Sequence, residues 1–350
     1  MACGCVNWLT YKPVNRLIFR LTPNTEHRRP IHSKDSSLPR CDITACATEQ
    51  RWRQYEKAIH IPVLLDEILQ YLRIKEDGIY VDCTVGEGGH AEAILEHINK
   101  KGLLIGLDKD EKALRRAEER LKIVAENFCL LKSDFVHLPS QLERIGIHQV
   151  DGVVLDLGLS SFQLEEASRG FSFRKNGPLD MRFDTSSPVR AEELVNELPY
   201  SELERILRNF GEERKASLIA RRIVQRRKEK RIRTTFELAE IARKALRRTG
   251  RIDPATRTFQ AFRIATNREL ESLQKVLPEV PSLLKPGGRV CVISYHSLED
   301  RIVKRSFKEA EGRGILKIIT RKPVSPSIPE IQRNPHSRSA KLRAGEGVKG

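Results

Sequence analysis

Between residues 78 and 156 short apolar runs alternate with amphipathic stretches of helical period, and this alternation restricts the fold more than any other feature. Gly78–Asp82, Gly102–Asp108, Asn127–Leu131 and Val150–Asp156 read as buried strands of a parallel sheet, and Arg289–Ser294 reads as a fifth. Helical patterns between the first four give repeated strand–helix units, hence a doubly wound α/β fold, with a further helix expected over Val63–Leu72. About 130 residues separate the fourth run from the fifth, far too many for one crossover. Candidate helices Ser201–Asn209, Arg214–Lys230 and Phe236–Arg248 fill that gap, the last behind a Thr234/Glu237 capping box. The expected organisation is an N-terminal extension (1–58), a discontinuous sheet domain (59–165 and 265–350) and a small all-helical insert (166–264).

The chain is long enough for one core domain and a smaller companion. No apolar run approaches the roughly 20 residues that span a bilayer, which argues against a membrane protein. Lys and Arg number 63 against 47 Asp and Glu, a net charge of +16 that suggests a polyanionic partner, nucleic acid first; a basic surface serving only solubility is the alternative. The seven cysteines form no CxxC pair, so neither a metal site nor a disulfide framework is expected, and Cys83, Cys129 and Cys291 read as core. Residues 1–58 lack a sustained period and read as poorly ordered. No acid precedes Glu26, which resembles a weak organellar transit peptide, but Arg is sparse and a tail of no function is equally open.

At the end of the first strand the chain reads Val81-Asp82-Cys83-Thr84-Val85-Gly86-Glu87-Gly88-Gly89-His90-Ala91, and a helix follows. Glycines there let the backbone turn sharply and approach a ligand that a Cβ would exclude. Asp108 closes the second strand, where a carboxylate can accept hydrogen bonds from both hydroxyls of an adenosine ribose. The loop alone fits a methyltransferase and a dinucleotide enzyme equally, since Gly86, Gly88 and Ala91 also match the dinucleotide fingerprint. Asp134-Phe135 could flank an adenine or merely cap the next helix. Asp156 sits at the carboxyl edge of the fourth strand, where ligands of open α/β sheets bind.

In these residues the chain resembles the RsmH/MraW family of 16S rRNA (cytosine-N4) methyltransferases. The resemblance runs from His60-Ile61-Pro62-Val63-Leu64-Leu65-Asp66-Glu67 through the glycine loop and Asp156-Leu157-Gly158-Leu159-Ser160-Ser161. It continues in Arg169-Gly170-Phe171-Ser172-Phe173, Gly177-Pro178-Leu179-Asp180-Met181-Arg182, Phe210-Gly211-Glu212-Glu213-Arg214 and Ala255-Thr256-Arg257-Thr258-Phe259-Gln260-Ala261. It closes with Ser294-Tyr295-His296-Ser297-Leu298-Glu299-Asp300-Arg301-Ile302-Val303-Lys304, Asn334-Pro335 and Arg338-Ser339-Ala340-Lys341-Leu342-Arg343. The resemblance implies a Rossmann-like class I sheet using S-adenosyl-L-methionine, bound by Gly86, Gly88, Gly89, His90, Asp108, Phe135, Asp156 and Gln163. It also implies small-subunit rRNA as partner, free or within the subunit or a precursor. Tyr295 stands where the family usually has Phe, and the N-terminal extension has no counterpart.

Cytosine N4 is a poor nucleophile because its lone pair is delocalised into the ring, so alignment and an acceptor for an N4–H carry much of the rate. Asp156 is the first candidate, Asp180 the alternative, and His296 could act as a base or only as a structural residue. Methylation at C5 would instead need a nucleophilic Cys, and no Pro-Cys occurs. The Arg169–Arg182 run is expected to loop over the site, with a flipped base stacking on Phe171 or Phe173, or else to pack between domains. Residues 214–251 carry 15 Lys or Arg against 3 acids, an expected RNA footprint in which Arg226, Arg227 and Lys228 stand out. Arg257, Arg263 and Asn267 could reach RNA or simply pair with carboxylates.

Two other classes stay open on sequence: a nicotinamide-dependent oxidoreductase using the same loop, and a non-enzymatic RNA-binding assembly factor. Monomer and homodimer are both compatible with the chain. The bacterial resemblance favours the cytoplasm, with mitochondrion or plastid the alternative if the extension is a transit peptide.

Overall fold

The computed structural model describes residues 62–246 and 253–348. The N-terminal extension, His60 and Ile61, and the end of the expected Phe236–Arg248 helix lie outside the described residues. Helix α1 (Leu65–Leu72) precedes β1 (Ile79–Asp82), α2 (Gly89–Leu95), β2 (Leu103–Asp108), α3 (Glu111–Leu121), β3 (Phe128–Lys132), α4 (Leu138–Arg144) and β4 (Val150–Asp156). After the short α5 (Ser161–Glu165) come α6 (Ala191–Glu197), α7 (Tyr200–Asn209), α8 (Ala216–Glu229), α9 (Thr235–Ala245) and α10 (Ala255–Asn267). The chain ends with α11 (Glu269–Val276), α12 (Val280–Leu283), β5 (Leu284–Ser294), α13 (Ser297–Gly312), β6 (Leu316–Ile318), α14 (Ile328–Arg333) and β7 (Lys341–Gly347).

The strands form one sheet in the order β3-β2-β1-β4-β5-β7-β6. The first five are parallel, as the apolar runs predict, but β7 is antiparallel to both β5 and β6, so the all-parallel expectation needs correcting. The final hairpin escaped the hydrophobic pattern because β6 has three residues and β7 reads Lys-Leu-Arg-Ala-Gly-Glu-Gly. Its place is held by pairing with β5 and by a 2.5 Å bond from Arg289 to Glu346.

Successive strand side chains point to opposite faces, and both faces are apolar. Val81, Val153, Leu155, Val290 and Val292 pack on one side with Leu273, Val276, Val303 and Phe307 of α11 and α13. Tyr80, Val154, Cys291 and Ile293 pack on the other with Ile68, Ile94 and Leu121 of α1, α2 and α3. Each such buried aliphatic side chain contributes about 1.5–3 kcal/mol. Chain order reverses between β1 and β4, and a cleft opens at the carboxyl ends of those strands.

Helices α6 to α10 have a core of their own, which includes Leu203, Ile219, Leu238, Phe259 and Phe262. The Thr234/Glu237 capping box starts α9, as its spacing predicts. Helix α10 runs unbroken through position 264, so the expected edge of the insert falls inside a helix. Asn267, at the end of α10, pins the 169–183 loop: its Nδ2 donates to Met181 O at 2.7 Å and its Oδ1 accepts from Phe183 N at 2.7 Å.

At the opposite rim of the sheet, Asp151 of β4 accepts hydrogen bonds from Lys75 Nζ (2.9 Å), Lys285 Nζ (2.6 Å) and Ile79 N (3.0 Å). Burial would raise its carboxyl, but the bonds from Lys285, Ile79 and Lys75 outweigh it and hold the group below the usual carboxylate range. A depressed carboxyl stabilises the fold above the unfolded value and loses that contribution as pH falls through the folded one. Asp151→Asn is therefore expected to cost about 1–3 kcal/mol at neutral pH, and denaturant titrations of the two proteins should converge in acid below the ordinary Asp range.

Candidate active site

The cleft is bounded by the β1–α2 turn, the ends of β2 and β4, the start of α5, and the turns before α4 and α13. It encloses about 1230 Å³, open mouth included. Its floor follows from the glycine loop. Gly86 (φ 52°) and Gly88 (φ 84°) are in the left-handed region, where a side chain is strained. A Cβ on Gly89 would stand 2.6 Å from Pro62 Cγ. Gly88 caps α2, and the loop lies against Asp108, whose Oδ2 accepts from Gly86 N at 2.9 Å. Asp108 Oδ1 accepts from Asp110 N at 2.8 Å, and each oxygen keeps a further lone pair for a ligand hydroxyl.

Asp108 on β2 and Asp156 on β4 line the cleft from the ends of their strands, and a third carboxyl, Asp82 at the end of the intervening β1, is buried close enough to both to feel their charge. Burial pushes Asp82 and Asp108 up to about 6, and it raises Asp156 as well. Their mutual repulsion adds to the shift of Asp82. Such a rim favours a cation. Asp156 Oδ2 is 3.8 Å from His90 Nδ1, and Tyr295 lines the cleft close to the same carboxylate. Asp156 Oδ1 is buried without a hydrogen-bond partner, an acceptor left for something that enters the cleft.

His90 is buried, and its Nε2 lies 2.9 Å from Val63 O, so Nε2 carries the proton and Nδ1 turns toward Asp156. Phe135 lines the cleft with Lys109 Nζ 5.7 Å from its ring centre, while Asp134 caps the turn that carries it. Gln163 also lines the cleft, but its amide is already engaged: Oε1 accepts from Ser160 N (3.2 Å) and Nε2 donates to Asp110 Oδ2 (3.1 Å). The structure thus brings together Gly86, Gly89, His90, Asp108, Phe135, Asp156 and Gln163, with Gly88 beneath them.

Other expectations are corrected. Asp180 does not line the cleft; its carboxylate is held bidentately by Arg182 at 2.9 and 2.7 Å. His296 caps α13, its Nδ1 accepting from Glu299 N and its Nε2 standing 3.0 Å from Glu299 Oε1, so it has a structural job outside the cleft lining. Phe171 stacks on Phe183 and Phe173 meets Phe259 edge-on, so both rings serve packing rather than an incoming base. Arg263 is part-buried and bonded to Glu269 (2.9 Å), with Glu299 at 3.7 Å, so its charge is spent on carboxylates rather than held out to RNA. Arg227 donates to Val195 O and is part-buried, whereas Lys228 is exposed, and Arg226 and Arg257 have 3.9 Å ion pairs and long bonds to Lys230 O (3.5 Å) and Glu212 O (3.4 Å).

Asp82, Tyr295, Glu299, Glu269 and Asn334 with His336 went unassigned in the sequence. Asp82 ends a strand as Asp108 and Asp156 do, and that position was a sufficient signal. Tyr295 and Glu299 flank the end of β5, and Glu269 opens α11. No local pattern marks Asn334 or His336, which reach the mouth only through the final hairpin.

The chain is similar to proteins already known. The MraW methylase family model matches residues 57–348. A protein of Syntrophobacter fumaroxidans named ribosomal RNA small subunit methyltransferase H is 48% identical over 305 residues, covering 82% of this chain and 96% of its own. Proteins of the same name from Halothermothrix orenii and Clostridioides difficile are 46% and 44% identical, each over 307 residues, with 83% of this chain and 98% and 99% of theirs covered.

The folded Asp82 carboxyl, at about 6 instead of 3.8, gives up about 3 kcal/mol on ionising. A raised carboxyl stabilises the fold fully below the unfolded value, and that stability is lost as pH rises through about 6. Asp82→Asn, which keeps an acceptor for Thr84 N, is expected to raise Tm at neutral pH and to lose that advantage near pH 4; calorimetry at both pH values checks it.

Proposed function

Since the chain belongs to the MraW methylase family, we propose that it methylates the exocyclic N4 of one cytosine in the decoding region of small-subunit rRNA. It is an S-adenosyl-L-methionine-dependent ribosomal RNA methyltransferase. The residues present fit that cofactor. The left-handed glycine turn admits a ligand close to the backbone, Asp108 offers free lone pairs for ribose hydroxyls, and the buried carboxyl rim suits a positive sulfonium. When bound, the cofactor supplies a methyl carbon activated by the positive sulfur.

The observation that carries the N4 reading is Asp156 Oδ1, a buried acceptor with nothing to accept. An amino group entering the cleft satisfies it by donating one N–H. That bond draws the nitrogen lone pair out of ring conjugation and stabilises the positive charge that grows as the N–C bond forms and the C–S bond breaks. Burial raises the Asp156 carboxyl above the ordinary range, which makes it a better acceptor for the released proton. Tyr295 and His90 flank the carboxylate. C5 chemistry lacks its nucleophile: among the described residues burial raises all three thiols, Cys291 to about 12.

In this reading the helical insert grips RNA. Arg221, Arg222 and Lys228 of α8 are exposed and make no ion pair among the described residues, and Arg226 and Arg257 add weakly engaged charge. The substrate is small-subunit RNA, free or assembled. The matching compartment is a bacterial cytoplasm, or a mitochondrion or plastid if residues 1–58 are a transit peptide.

Asp156→Asn is expected to lower kcat about 10²–10⁴-fold, and wild-type kcat should rise with pH through the raised Asp156 value. Mass spectrometry of nucleosides from small-subunit RNA incubated with the protein and labelled cofactor should show N4-methylcytidine. Label in 5-methylcytidine, or none in cytidine, would overturn the reading.

A further inference from the structure

From the C-terminal turn at the mouth of the cleft we infer that His336 and Arg338 grip phosphates of the RNA strand beside the target nucleotide, so that the RNA-binding surface has a second edge remote in sequence from the helical insert. This inference rests on the RNA methyltransferase reading. Residues 321–343 carry six Lys or Arg and a single acid, Glu330. Glu330 is buried and spends its carboxylate on Leu64 N at 2.8 Å, so it does not neutralise the surface. Arg321 is paired with Glu311, and Lys341 and Arg343 with Asp300. Lys322 and Arg338 are exposed and make no ion pair among the described residues.

The turn that displays these groups is built firmly. Pro335–Ser339 forms a 3₁₀ turn whose first free amide, His336 N, donates to Asn334 Oδ1 at 3.2 Å. Ser337 is fully buried and donates through Oγ to Asn334 O at 2.8 Å. Strand β7 follows within two residues and anchors the turn to the sheet. Asn334 and His336 line the cleft itself, and Arg338, exposed, follows two residues on in the same turn. A nucleotide that puts its base into the cleft leaves its flanking phosphates at this mouth, within reach of ring and guanidinium N–H donors. An arginine fork matches phosphate geometry.

The test compares wild type with His336→Ala/Arg338→Ala and His336→Lys/Arg338→Lys in binding to small-subunit RNA across a salt series, by fluorescence anisotropy. Loss of both contacts should weaken binding, and loss of the Arg338 charge should flatten the slope of log K against log salt by about 0.7–0.9, while the lysine variant keeps a slope at least as steep as wild type. Both side chains are exposed, and an unchanged Tm shows that the turn survives. An unaltered slope and affinity in the alanine variant, or an equal loss in the lysine variant, would refute the phosphate edge. Methyl transfer by wild type, measured alongside, separates the two claims: its absence sinks the enzymatic reading, whereas unaltered RNA binding in the alanine variant with transfer intact sinks this edge alone.

Discussion

Three carboxyl groups share one poorly hydrated rim where β2, β1 and β4 end, and the site depends on that crowding. Water would screen them and keep each ionised cheaply; burial instead lifts Asp82 and Asp108 to about 6 and raises Asp156. The fold therefore holds an electrostatic strain that a bound cation relieves. The same burial leaves Asp156 Oδ1 without a partner, so the groove that favours a positive methyl donor also holds an acceptor for the amine it meets. Strand order makes this arrangement: only at the reversal between β1 and β4 do helices diverge enough to leave the ends of adjacent strands open.

A buried ion pair ties that rim to the helical insert. Asp110, which caps α3 and whose amide donates to Asp108, accepts from Arg169 Nη1 at 2.6 Å and from Gln163 Nε2 at 3.1 Å. Arg169 in turn donates to Arg182 O and Phe183 O, and Asn267 holds the same loop from α10. An arginine at this depth is costly unless its contacts are made; both terminal nitrogens are engaged here, while Nε is buried without a partner. One chain of hydrogen bonds thus runs from the candidate ribose contact to the elements expected to hold RNA.

Much of this was legible in sequence where one residue type in one local setting determines the answer. Alternating apolar runs gave the five parallel strands, Gly86 and Gly88 the left-handed turn, and Asp108 and Asp156 the strand-end acids. Reading failed where partners distant in the chain decide the role. Arg263 looked like one more cation in a basic stretch, yet Glu269 and Glu299 pair with it. Asp180 and His296 looked like titratable candidates beside a cleft, yet Arg182 occupies one and a helix start uses the other. Phe171 and Phe173 looked available for stacking, but neighbouring rings had taken them. Strand β7 was invisible because its polar sequence is recruited by β5 rather than by its own period.

The carboxyl rim as a cation site is tested most directly by comparing affinities for S-adenosylmethionine, whose sulfur is positive, and S-adenosylhomocysteine, whose sulfur is neutral, across pH by calorimetry. The two differ by the methyl group and the charge it puts on sulfur, and methyl contacts do not titrate, so the change of their ratio with pH reports the charge of the rim. The account predicts that the preference for the sulfonium grows as pH rises through about 6, where Asp82 and Asp108 ionise. A ratio that stays flat from about pH 5 to about pH 8 would contradict it.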